Sequence, residues 1–166
     1  MMASLGKDFA FLHCVTSYPN SADMANLKRM EWLKKFTAHV GWSDHSLVER
    51  DGIKMAKLAL ALGAEYIERH FTILGADKTK DGPVSITPGM LKELSDFRDL
   101  SRDEQCLQIE RDYPDWGVML GTETREMTNT ELLNRDYYRG RFASPVSGQT
   151  GPEEDQWIYN WEDRPV

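Results

Sequence analysis

Cysteine is scarce, with Cys14 and Cys106 the two thiols in 166 residues. Two thiols cannot staple a disulfide framework, and the pattern predicts reduced, partly buried cysteines in a cytoplasmic protein. No run of 18 or more apolar residues occurs, so no segment reads as a membrane-spanning helix. The first twenty residues lack the ordered basic, apolar and small-residue segments of a secretory signal. Walker loops, GxGxxG, CxxC, HExxH and GxSxG are all missing, which removes the commonest nucleotide, zinc-protease and serine-hydrolase readings. Residues 101–166 contain neither lysine nor histidine and carry 14 acidic against 7 basic side chains, whereas residues 1–100 carry 13 of each. The net charge of −7 therefore lies wholly in the last part of the chain. Without a basic stripe to neutralise phosphates, nucleic acid is not an expected partner.

What remains is the composition of one globular domain, 40% hydrophobic and 28% charged. Phe9–Val15 is a short apolar run rich in β-formers and reads as a buried strand. A helix is predicted over 22–36, with Met24, Leu27, Met30, Leu33 and Phe36 at helical spacing. His39–Ser43 reads as a second strand. Ser46-Leu47-Val48-Glu49 has the form of a capping box, opening a helix that stops at Gly63. Tyr66–Thr72 is the third strand, and Thr87-Pro88 caps a third helix over 89–100. Strand and helix alternate about every 26 to 30 residues, the spacing of parallel βαβ units. The fold class is therefore α/β, either an open doubly wound sheet or part of a (β/α)₈ (TIM) barrel. Residues 1–104 are assigned to these units. Residues 105–166 are expected to be an irregular, loop-rich acidic extension with one short helix near 130–135.

In either architecture the loops after the strands form the active face. These loops carry Thr16-Ser17-Tyr18, Ser43-Asp44-His45 and Arg69-His70-Phe71-Thr72. If the second and third strands are adjacent, His45 and His70 end about 5 Å apart. The two imidazoles then either converge on one divalent metal or remain hydrogen-bonding histidines at a sheet edge. Asp44 either orients an imidazole or caps the loop before Ser46. His13 reads as structural and His39 as solvated. Lys78, Lys80 and Asp81 lie in a glycine-rich loop, open to solvent or able to close over an anion. Tyr137–Phe142 reads as an intramolecular docking segment. By composition and spacing alone, the chain is a candidate for metal-assisted chemistry on a polar substrate.

FLHCVTSYPN, the ANLKRM helix, VGWSDHS and LALALGAEYIERHFT, taken in that order, resemble the C-terminal three units of the sialic acid (N-acetylneuraminate) synthases over about residues 9–100. The resemblance implies a (β/α)₈ barrel that condenses phosphoenolpyruvate with N-acetylmannosamine or a related N-acetylated amino sugar, using Mn²⁺ or Mg²⁺. It implies that His45 and His70 hold the metal. Ser43 would contact phosphoenolpyruvate, and Thr16 and Tyr18 would line the donor and sugar sites. With these, Ser17, Phe71, Thr72 and Asp81 are candidates for lining substrate, and Tyr18, Ser43 and Asp44 for the chemistry.

The sequence departs from that family in three places. Arg69 replaces the usual lysine, the DKTKDGPVSITP segment differs, and the first five units expected of such a barrel are missing, with no antifreeze-like domain recognisable in residues 105–166 either. Met1 to Gly6 reads like the end of a preceding helix. The expectation is part of a longer enzyme, inactive alone and homodimeric when whole. The competing readings are a non-catalytic partial barrel that docks on a partner or binds a sugar, and a metal-dependent sugar hydrolase or isomerase.

Overall fold

The computed structural model describes residues 6, 8–138, 141–145 and 157–163, with side chains described as far as Asn134. The chain divides into two compact units, Met1–Arg125 and Glu126–Val166.

In the first unit three parallel strands lie side by side in chain order: β1 (Ala10–Cys14), β2 (His39–Asp44) and β3 (Tyr66–Arg69). Alternation of side chains along each strand gives the sheet two different faces. On one face Val40 and Trp42 are fully buried in a core with Leu27, Met30, Met55 and Leu58. Each such side chain removed from water stabilises the unit by about 1.5–3 kcal/mol. The other face places Leu12, Gly41 and Tyr66 in one row and Cys14, Ser43 and Glu68 in the next. Nothing among the described residues covers Leu12 or Tyr66, which are exposed. The expected burial of the first strand is thus corrected: β1 pairs on one side only and is mostly exposed, and Val15 just beyond it reaches the core. Cys14 and Cys106 are exposed as residues too, although the Cys14 thiol itself is partly sheltered.

The predicted first helix is broken. A 3₁₀ turn at Ala22–Met24 is followed by a short helix, α1 (Arg29–Leu33). Between them Asn26 adopts φ 51°, and its Oδ1 accepts a hydrogen bond from the Thr122 amide at 2.6 Å. The Leu27 and Lys28 amides donate to the carbonyls of Met119 and Leu120, so tertiary pairing replaces helical bonds here. The second predicted helix is also two, α2 (Val48–Asp51) and α3 (Lys54–Ala61), separated by Gly52 at φ 55°. The capping box expected at Ser46 does not form, because its hydroxyl accepts from Arg69 instead. Gly63 does end α3, at φ 88°. The amides of Gly63 and Ala64 return to the carbonyls of Leu60 and Ala59, the paired bonds of a Schellman motif.

Pro88–Arg98 forms α4, with the Thr87 hydroxyl accepting from the Met90 amide as predicted. The boundary expected at 104/105 falls inside a further helix, α5 (Arg102–Asp112), opened by a Ser101–Glu104 capping box. Only Gln105 and Ile109 of α5 are buried, too narrow an apolar stripe to stand out in the sequence. After it comes α6 (Gly117–Leu120), whose Met119 joins the core behind the sheet. In the second unit, α7 (Asn129–Tyr138) extends the short helix expected at 130–135. β4 (Arg141–Pro145) pairs antiparallel with β5 (Trp157–Asp163), where loop was expected. The docking segment read at Tyr137–Phe142 and the chain start at 1–5 lie outside the residues whose side chains are described. No helix among the described residues is long and apolar enough to cross a membrane.

Candidate metal and substrate site

The ends of β2 and β3 are held in register by the Ser43–Glu68 and Asp44–Arg69 Cα pairs. His45 and His70 each follow directly, and their ring centroids lie 5.5 Å apart. Tyr18, in the loop after β1, sits against both rings. Its centroid is 4.6 Å from His45, and its hydroxyl is 2.8 Å from Nε2 of His70. Three of the sequence-derived candidates are thus gathered at one end of the sheet. The loops are brought together by backbone bonds, from the Asn20 amide to the His45 carbonyl and from the Ile86 amide to the His70 carbonyl.

The environment shifts two of these groups towards their neutral forms. Burial, and then the neighbouring His70, lower the His45 pKa below its ordinary value. Burial and the negative charge of Asp81 raise that of Tyr18, which favours the protonated phenol, and its oxygen shares a hydrogen bond with His70 Nε2. Nδ1 of His70 faces Asp81 Oδ2 at 3.8 Å. Cys14 places Sγ 3.5 Å from His45 Nδ1, and burial raises the thiol pKa. The sequence reading missed Cys14 as a neighbour of the site. It lies directly across from Ser43, a register that the sequence alone does not give.

The other candidates are spread around this cluster. Ser43 is buried on the row shared with Cys14 and Glu68. Thr16 and Phe71 are exposed, and Phe71 forms a bridge with Ile86. The hydroxyl of Ser17 donates to the Pro19 carbonyl at 3.4 Å, while that of Thr72 accepts from the Leu74 amide at 3.0 Å. Asp44 differs from the rest. It is fully buried, one carboxylate oxygen accepts from the Ser46 amide, and the other pairs with Arg69. With both oxygens engaged inside the protein, Asp44 fits the loop-capping reading. His13, read as structural, bonds the Ala25 carbonyl at 2.9 Å and packs on Trp42. His39 is exposed and bonded to Glu65. Lys78 is exposed and paired with Asp77.

A divalent ion about 2.1 Å from one nitrogen of each imidazole requires rings roughly 5 Å apart, and neutral imidazole is the ligating form. The separation of His45 and His70 and the lowered pKa of His45 fit that requirement. Among the described residues no group of three or more His, Cys, Asp and Glu side chains is placed to hold an ion.

A family profile described as "NeuB family" matches residues 1–105. Over 92 residues the chain is 42% identical to the N,N'-diacetyllegionaminic acid synthase of Campylobacter jejuni, covering 53% of this chain and 25% of that protein. Over 97 residues it is 35% identical to the N-acetylneuraminate-9-phosphate synthase of Drosophila melanogaster, covering 57% and 25%. The chain spans about a quarter of the length of the curated relatives it matches. Among solved structures, the spore coat polysaccharide biosynthesis protein spsE of Bacillus subtilis superimposes with a TM-score of 0.65 at 27% identity, over 95% of this chain and 44% of that one.

Proposed function

The chain belongs to the NeuB family, and on that premise we propose that it serves a sialic-acid-type synthase reaction. In this reading phosphoenolpyruvate condenses with N-acetylmannosamine or a related N-acetylated amino sugar. A bond forms from C3 of the donor to the sugar aldehyde carbon, water supplies the C2 oxygen, and C–O cleavage releases phosphate and a nonulosonic acid. The βα units would form a segment of a (β/α)₈ barrel, with the site at the strands' C-terminal ends. The enzyme would work in the cytoplasm as a homodimer. The observation that carries the proposal is the convergence of Tyr18, His45 and His70 on adjacent parallel strand ends.

His45 and His70 would hold Mn²⁺ or Mg²⁺, which when bound supplies a Lewis acid for the sugar carbonyl. Ser43 would hydrogen-bond the anionic donor. Tyr18, which keeps its proton, would orient the sugar, with Thr16, Ser17, Phe71, Thr72 and Asp81 lining the approach. The test is phosphate release by the native polypeptide isolated from its source. Release that needs phosphoenolpyruvate, the amino sugar and a divalent metal together, and that disappears in His45→Ala and in His70→Ala, is the expected result. Near-normal turnover in both variants would overturn the assignment.

A further inference from the structure

One buried ion pair stands directly behind the two histidines. Asp44 and Arg69 are Cα partners across β2 and β3, and each immediately precedes one of the rings, His45 and His70. Their side chains are 0% and 2% exposed. Arg69 does more than neutralise Asp44. Its Nη1 also donates to the Ser46 hydroxyl at 2.9 Å, Nη2 donates to the Ser46 carbonyl at 2.8 Å, and Nε donates to the Val84 carbonyl at 3.3 Å. Asp44 in turn accepts from the Ser46 amide at 2.9 Å. A single planar guanidinium thereby ties the residues on both sides of His45 to β3. It also ties them to the segment whose Ile86 amide bonds the His70 carbonyl at 2.8 Å.

We propose that Arg69 and Asp44 are positioning residues for the histidine pair: the ion pair sets the separation and orientation of His45 and His70, and through them the affinity for a divalent ion. The inference rests on the metal reading given above but adds residues that never touch the ion or the substrate. The physical reason lies in the fork geometry of arginine. Its rigid, planar donors meet several acceptors at once, whereas an ammonium on a flexible stem is a point charge that cannot span Asp44, both Ser46 oxygens and Val84 together. A buried pair in which each guanidinium nitrogen is bonded is a stiff element, and stiffness next to a ligand is what holds a site open at the right width. The cost of burying two charges is offset here by five hydrogen-bonded contacts around them.

The experiment uses the 166-residue chain and the variants Arg69→Met and Asp44→Asn, with two readouts beside circular dichroism. The first is the set of nuclear Overhauser contacts among the Tyr18, His45 and His70 ring protons without metal. The second is Co²⁺ affinity by calorimetry. In variants that keep the parent's secondary structure, the His45–His70 contacts should weaken and the Co²⁺ dissociation constant should rise more than threefold. A purely structural role would lower the unfolding temperature and leave both readouts unmoved. Folded variants with unchanged ring contacts and affinity within threefold of the parent would overturn the proposal. Should neither charged-pair variant fold, Ser46→Ala removes one acceptor without stranding a charge, and the same shift in ring contacts is expected. A parent chain that shows the ring contacts yet binds no Co²⁺ would sink the metal reading, and the ring contacts alone would then decide the positioning.

Discussion

The Tyr18 hydroxyl lies 2.8 Å from Nε2 of His70 while the same ring packs 4.6 Å from His45, so one tyrosine touches both histidines. It occupies a nitrogen that a metal ion would need, and it competes for that nitrogen with one neutral hydrogen bond. Such a bond is worth about 0.5–1.5 kcal/mol. Tyr18→Phe keeps the ring packing and frees the nitrogen. Divalent-ion affinity of the chain should therefore rise, by roughly 2- to 10-fold in calorimetry. Turnover in the native polypeptide should fall, because the hydroxyl proposed to orient the sugar is gone. A fall in both would mean that Tyr18 helps to hold the ion.

His13 predicts an acid sensitivity. Burial first, and the charges of Arg29 and Arg125, push its pKa from 6.5 down to about 4, although its bond to the Ala25 carbonyl opposes the shift. With the folded value below the unfolded one, the unfolded chain takes up the extra proton between these limits. The contribution of neutral His13 is complete above pH 6.5 and is lost as pH falls towards 4, on the order of 3 kcal/mol in all. Urea midpoints at pH 7.5, 5.5 and 4.5 should drop more steeply for the parent than for His13→Gln. Parallel pH profiles would refute this.

Gly41 is closed to any side chain. A Cβ there would strike the Tyr66 carbonyl and the Leu12 side chain on the open face of the sheet. Gly41→Ala must push β2 and β3 apart and should destabilise the unit by about 1–3 kcal/mol, measured by urea unfolding. Because β2 and β3 carry the two histidines, the same variant should also loosen their ring contacts. An alanine variant as stable as the parent would mean that the strands adjust freely.

Lys57 buries its ammonium, 3% exposed, and pairs it with the half-exposed Glu93 at 2.6 Å. Removing the partner strands the charge, whereas removing the lysine does not. Glu93→Ala should cost about 1–3 kcal/mol, more than Lys57→Met. The reverse order in denaturant titrations would show that the pair contributes through packing alone.

Much of the site was legible before any coordinates, because local chemistry announces it. Short β-rich runs ending in polar triplets located Tyr18, Ser43, His45 and His70. The 25-residue spacing of the two histidines placed them on neighbouring parallel strands. Gly63 and Thr87 marked helix ends correctly, since a left-handed C-cap and a hydroxyl N-cap are decided within a few residues. The misses share one cause. Ser46 looked like a cap because its neighbours fit the motif, but Arg69, 23 residues later, claimed its hydroxyl. The 22–36 segment has helical spacing, yet the Leu27 and Lys28 amides bond to residues 119 and 120 and the Asn26 side chain to Thr122.

By itself, then, the sequence determined the parallel βα order and the strand-end histidines, because hydrophobic period, spacing and caps are local properties. Only the tertiary structure decided what Asp44 faces, that Arg69 grips both strand ends, and that Tyr18 bridges the imidazoles. Those are contacts between residues 25 to 52 positions apart, and they depend on strand register, which no local pattern encodes.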